Sequence, residues 1–327
     1  FNAPAGFSPF YYRMHLHSAP QGTGTERTSC MSLESQIIQF LFTGIAIGSI
    51  YAMVALGFNI IYNATGILNF AQGEFVVLGG LLMVWLSVTM GLPMPLAFIL
   101  TVACVMVIGA LFERLAIYPL KKPPVLILII ITLAGSIIFK GSAMLLWGKQ
   151  TYSLPHFSSE QPIELLGATI LPQTFWIVGF LLAVVALLTL FFNCTMLGKA
   201  MRACSFNPTA ASLVGINVKR IVLLSFAISA AIGAIAGIVF TPVVLMEYDR
   251  GTMLALKGFC AAVLGGLGNG AGAVVAGLLI GILESFGAGF ISSAYKDAIA
   301  LLVLLIVLVI KPSGLFSKSE ASRLKDF

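Results

Sequence analysis

Gly66-Ile67-Leu68-Asn69-Phe70-Ala71-Gln72-Gly73-Glu74-Phe75-Val76-Val77-Leu78-Gly79-Gly80 sets two amides and a carboxylate at the edge of, or inside, a long apolar stretch. Hydrocarbon tolerates such groups where they face a bundle interior or a water-filled path. The glycines fall where helices must touch or break. Asn69 and Gln72 are three apart and share a helix face; Glu74 lies further round, off that face. If the run is partly unwound, the amides cap freed backbone groups. Two readings stay open. Asn69, Gln72 and Glu74 gate or line a solute path, or they tie helices together.

The surrounding composition is that of a membrane chain. Of 327 residues, 59% are hydrophobic and 9% charged, where a soluble domain carries about 25% charged residues. Mean hydropathy is +1.04. The expected fold class is an all-α polytopic membrane protein. A net charge of +6 is ascribed to basic residues in cytoplasmic loops, and no nucleic-acid partner is expected. The five cysteines (Cys30, Cys104, Cys194, Cys204, Cys260) are odd in number and lack metal-ligand spacing. Neither a disulfide framework nor a metal site is expected, and no cofactor. Residues 1–34 read as a disordered N-terminal extension, with Met31 placed like a start and a weak His15/His17 pair.

Apolar runs able to cross a bilayer need about 20 residues. They cover Ile37–Tyr62, Leu68–Met90, Pro93–Ile117, Val125–Trp147, Leu171–Phe192, Ile221–Leu245 and Val274–Ile291. Two are weaker: Thr252–Leu267, interrupted by Lys257 and glycines, and the short Ala298–Ile310. The expectation is a bundle of about eight to nine transmembrane helices. Basic residues favour nine. Arg114, Lys121 and Lys122, then Lys199, Arg202, Lys219 and Arg220, then Lys311, Lys318, Arg323 and Lys325 all fall on one side only with an odd count. The N-terminus is then outside, 149–170 is an outer loop, and 317–327 is a cytoplasmic tail. Glycines four apart recur at Gly44/Gly48, Gly233/Gly237 and Gly277/Gly281, which lets backbones approach. Val77–Gly80 and Val263–Gly266 hint at an internal repeat.

Lys257 and Glu284 are read as the other charges inside apolar runs. A bare charge at mid-bilayer costs a few kcal/mol. A Lys257–Glu284 or Lys257–Glu74 pair lowers that cost, or Lys257 snorkels. The inner loop 194–220 is patterned rather than random. Thr195–Ala203 reads as a short helix. Asn207-Pro208 opens another, with proline at its first position, and Gly215 ends it. Ala210, Ala211, Leu213 and Val214 give this helix an apolar face, suited to a partner's groove or to the lipid interface. There is no P-loop, no H-E-x-x-H and no G-x-S-x-G elbow, so the chain holds no ATP by a P-loop and does not read as an enzyme. Ser293-Ala294-Tyr295-Lys296 matches Ser-x-x-Lys by chance, lacking its partner motifs.

From Ser35 to Phe316 the chain resembles permease subunits of bacterial ABC importers for branched-chain amino acids, the leucine/isoleucine/valine type. The resemblance rests on Ile50-Tyr51-Ala52 with Leu68 to Glu74, and on Leu197-Gly198-Lys199-Ala200 with Arg202-Ala203. It rests also on Ala210-Ala211 with Gly215-Ile216-Asn217, and on Lys257-Gly258-Phe259 running into Ala262–Gly268, with Gly272 and Gly281–Glu284. It implies a transmembrane permease domain over 35–316 in the bacterial inner membrane. It implies a second permease subunit, two ABC ATPase subunits that hydrolyse ATP in place of this chain, and a periplasmic or lipid-tethered solute-binding protein. In that picture 194–220 is the coupling loop, with Arg202, Asn207, Pro208, Ala210, Ala211 and Gly215 meeting the ATPase. The translocation pathway passes Asn69, Gln72, Glu74, Lys257 and Glu284. Such permeases are often acidic just before Ala210; here the residue is Thr209. Urea and short-amide importers share the design, and an ion-coupled secondary transporter uses similar broken helices.

Overall fold

The computed structural model describes residues 33–120, 124–158, 161–165, 167–311 and 314–316. The predicted extension before residue 33 and the tail over 317–327 lie outside these residues, as do Lys121, Lys122, Lys318, Arg323 and Lys325. Eleven α-helices follow in chain order. They are α1 (Leu33–Thr65), α2 (Gln72–Val84), α3 (Met94–Phe112), α4 (Val125–Trp147) and α5 (Gln173–Cys194). After these come α6 (Met196–Phe206), α7 (Pro208–Leu213), α8 (Val218–Phe240), α9 (Arg250–Gly265), α10 (Gly270–Phe290) and α11 (Lys296–Ile310). Helices α2 and α3 each end in a π-helical turn, Trp85–Thr89 and Glu113–Ile117. A small hairpin, β1 (Ile163–Leu165) and β2 (Ala168–Ile170), sits in the 149–170 loop. Helix α1 begins at Leu33, two residues inside the stretch read as an extension.

Among the described residues, eight helices are long and apolar enough to span a bilayer. Helix α9, at 16 residues, is the short ninth; it covers about 24 Å at 1.5 Å per residue. It runs in the same sense as α1. Lys257 meets Tyr51, Gly258 meets Val54, and the turn at Gly268 meets Asn59 and Asn63. Arg114 and Lys219 both lie over the Tyr118 ring, at 3.8 and 4.7 Å. Arg202 and Lys311 line one cavity with the last turns of α1. The described members of the three basic clusters therefore share one end of the bundle, as nine crossings require. At the other end Gln39 exchanges two 2.8 Å hydrogen bonds with the Thr169 backbone of the hairpin.

The closest helix contacts in the core are made by small residues. Helices α2 and α8 are 72% and 67% buried over their spans, whereas α4, α5 and α11 are only 11%, 17% and 6% buried. The poorly buried helices present Leu, Ile and Val outward, as lipid-facing helices do. Gly44 and Gly48 of α1 lie against Gly277 and Gly281 of α10, so that a methyl group on Gly48 would meet the Leu278 backbone at 2.8 Å. Gly79 similarly lies on Ala234 of α8 at 2.5 Å. Without a hydrophobic drive between helices in lipid, such backbone approach is the main attraction. The two Val-Leu-Gly-Gly matches play different parts. Gly79 and Gly80 are mid-helix, whereas Gly265 closes α9 and Gly266 is its C-cap.

Candidate functional site

The opening stretch does not continue straight from α1 into α2. Gly66 takes φ +71°, a left-handed value suited to glycine, and ends α1. Residues 67–71 then turn back into the bundle. Gln72, the first residue of α2, packs on Gly57, two turns up α1, and on Ser229 in the middle of α8. The predicted span from Leu68 thus begins as a re-entrant segment, and its backbone is enclosed by protein, as hydrocarbon requires. Asn69 Oδ1 accepts from the Ala71 amide at 3.1 Å, while its Nδ2 is buried without a partner among the described residues. The Gln72 side-chain amide donates to the Ser229 carbonyl at 3.1 Å. The Ser229 hydroxyl lies 2.6 Å from Gln72 Oε1 and 2.8 Å from the Gly57 carbonyl. Both amides are fully enclosed. Asn69 caps its own loop, and Gln72 joins α1, α2 and α8.

Glu74 points elsewhere, as its position off the amide face predicts. Its Oε1 accepts from the Ser136 hydroxyl of α4 at 3.0 Å. Among the described residues its Oε2 has no partner, and it rests on Gly251, at the start of α9. One turn along α4, Lys140 lies over the Tyr248 ring at 5.8 Å. Lys140 is a charge inside an apolar run that the sequence reading passed over.

Lys257 pairs with Glu284, not with Glu74. Its Nζ donates to Glu284 Oε1 at 2.9 Å, to Asp297 Oδ1 at 2.7 Å and to the Tyr51 hydroxyl at 3.1 Å. Tyr51 donates to the same Glu284 oxygen at 3.1 Å, and Lys296 Nζ lies 3.4 Å from it. Glu284 Oε2 is buried and has no partner among the described residues. Four helices (α1, α9, α10, α11) meet here, and two lysines balance two carboxylates. The sequence reading missed Tyr51, Lys296 and Asp297 as partners. Tyr51 reads as an ordinary apolar-run aromatic, and Lys296 and Asp297 sit just before the last apolar run.

In the 194–220 loop, Thr195 caps α6 by accepting from the Gly198 amide at 2.9 Å, and α6 runs on to Phe206, three residues past its predicted end. Asn207 caps α7, accepting from Ala210 N at 3.0 Å, with Pro208 at its first position. Gly215 follows with φ +89°. Of the predicted apolar face only Ala211 packs inward. Ala210 is exposed, and Leu213 and Val214 are 83% and 78% exposed, with Phe206 beside them at 74%. Met201 and Cys204 bury the opposite side of α6; burial pushes the Cys204 thiol up, so it stays protonated. Arg202 donates to Asn193 Oδ1 at 2.9 Å. Between this loop and the ends of α1, α5 and α10 lies a cavity of about 1800 Å³.

A family described as "Branched-chain amino acid transport system / permease component" matches residues 40–308. The chain belongs to that family. LivH of Escherichia coli (strain K12), a "high-affinity branched-chain amino acid transport system permease protein", is 33% identical over 308 residues, covering 88% of this chain and 97% of LivH. BraD of Pseudomonas aeruginosa, with the same description, is 32% identical over 305 residues, covering 88% and 97%. Among solved structures, PsaBC from Streptococcus pneumoniae covers 86% of this chain and 92% of its own, at 17% identity and TM-score 0.43. The all-α polytopic fold and the family expected from the motifs are those found.

Proposed function

We propose that this permease carries branched-chain amino acids across the bacterial inner membrane, as a subunit of an ATP-driven importer. The observation that carries the reading is full-length similarity to LivH and BraD, whose names specify that solute class and the permease role. A second permease, two ATPase subunits and a solute-binding protein complete the machine. The uncovered apolar side of α6–α7, at the end where the basic residues gather, supports ATPase docking there through Asn207–Gly215. Arg202 holds the root of that loop to the end of α5. The glycine contacts of α9 with α2, and the charge centre joining it to α1, α10 and α11, support a bundle with two discrete packings. ATP-driven movement of the loop shifts that bundle. The solute crosses beside Glu74 and the Lys257–Glu284 centre, while Asn69 and Gln72 hold the re-entrant segment that shapes the path. The test is ATP-dependent leucine uptake by the complex that co-purifies with this chain in mild detergent. Recovery with two P-loop ATPases, and uptake that survives collapse of the ion gradients, is expected. Recovery without an ATPase, or uptake that follows the gradients, overturns the reading in favour of a secondary transporter. A deletion of Asn207–Gly215 is expected to release the ATPases.

A further inference from the structure

The cavity at the inner end of the bundle is not built like a small-solute site. Its volume, about 1800 Å³, exceeds the roughly 300–1,000 Å³ of small-molecule pockets. Its amides are committed to the fold. Asn59 and Asn63 hold the α9–α10 turn, with 3.1–3.2 Å bonds to the backbone of Gly268 and Asn269. Asn269 caps α10 and donates to the Phe316 carbonyl. Asn193 accepts from Arg202.

What remains free is at the mouth. Arg202 gives one N–H to Asn193, and Lys311 gives one to the Leu315 carbonyl at 2.8 Å. The guanidinium has five donors and the ammonium three, so each has donors to spare. Among the described residues no carboxylate lines the cavity. Inward of the cations the wall becomes apolar, with Leu56, Ile60, Val185, Leu188 and Val274. Along α1 the cavity runs from Leu56 to Thr65, about 14 Å at 1.5 Å per residue. That is the depth of one leaflet of a hydrocarbon core about 30 Å thick.

We infer that this cavity is a site for an anionic phospholipid of the inner leaflet. The headgroup phosphate sits between Arg202 and Lys311, and the acyl chains lie against α1, α5 and α10. A cationic mouth over an apolar gully on the cytoplasmic side is the arrangement that holds acidic lipid headgroups. Arg202 belongs to α6, so the lipid ties the loop carrying α7 to the membrane-embedded bundle.

Native mass spectrometry tests this on the full chain with the subunits that co-purify, exchanged into phosphatidylglycerol or phosphatidylcholine. The wild type is expected to retain phosphatidylglycerol in preference. Arg202→Ala with Lys311→Ala is expected to lower that retention about thirty-fold. Val274→Trp keeps both cations but fills the gully, and it is expected to expel either lipid; it carries the test if the double variant fails to assemble. Equal retention of the two lipids, or unchanged retention in Val274→Trp, overturns the inference. Displacement of the lipid by inorganic phosphate alone reassigns the mouth as a free-anion site and also overturns it. So does disulfide trapping of Val275→Cys against a second permease with no lipid retained.

Discussion

At the scale of the residue, the charge centre and Glu74 behave differently. Glu284 accepts from Lys257 and Tyr51 and has Lys296 nearby, all on one oxygen. Removing one partner of a buried pair strands the other charge, which costs about 3–5 kcal/mol. Lys257→Met is therefore expected to lower the unfolding midpoint in detergent sharply. Adding Glu284→Gln recovers part of the loss, because the two changes share one interaction. A double variant as unstable as the sum of the singles counts against the pair. Glu74 has one bond, to Ser136, and an unpartnered oxygen. Glu74→Gln keeps its shape and removes its charge. Membrane levels are expected to stay normal while leucine uptake falls; unchanged uptake removes Glu74 from the pathway. The Lys257–Glu284 pair is legible in the sequence because each residue is a charge set in an apolar run. Its other partners are not. Tyr51 and Glu284 are 233 positions apart, and nothing local marks that meeting.

At the scale of the element, the helices were easy to read and their ends were not. Hydropathy summed over about 20 residues finds each span, but it is blind to direction. Leu68 and Phe70 look like the start of a helix and instead belong to a segment that turns back into protein. The same averaging conceals Lys140, one cation in a 23-residue helix of high hydropathy. The loop helices were legible for another reason: Thr195, Asn207-Pro208 and Gly215 are local capping chemistry. Glycine spacing also read through, since Gly44/Gly48 and Gly277/Gly281 face each other between α1 and α10. Gly281→Leu is expected to force these helices apart and destabilise the bundle by at least about 1–3 kcal/mol, the usual penalty of overpacking. Thermal unfolding followed by fluorescence measures it. An exposed control, Gly179→Leu on α5, has nothing nearby to strike and is expected to be silent.

At the scale of the whole molecule, orientation is the testable property. The shared end of Arg114, Lys219, Arg202 and Lys311 predicts which loops face the cytoplasm. In a cysteine-free background, Thr169→Cys is expected to react with an impermeant maleimide in intact spheroplasts. Ser212→Cys is expected to react only after the membrane is opened. The reverse pattern inverts the topology, and labelling of both from outside removes α5 as a crossing. The expectation of an odd count rests on the distribution of basic residues. The shortness of α9 was visible as well, in the lysine and glycines that dilute it.

That shortness bears on how the chain is made. A ribosome delivers α9, with Lys257, before it delivers Glu284 or Asp297. Asp297 follows 297 − 257 = 40 residues later, roughly 2–8 s at about 5–20 residues per second. Glu284 arrives 27 residues after Lys257; until then the lysine has neither carboxylate partner, and the helix carrying it is too short and too diluted to settle in lipid alone. Helix α9 is therefore expected to enter the membrane together with α10 and α11 rather than alone. The charge centre is complete only once Asp297 has been made, and a nascent chain released before Glu284 is expected to leave an unmatched cation for membrane quality control to find.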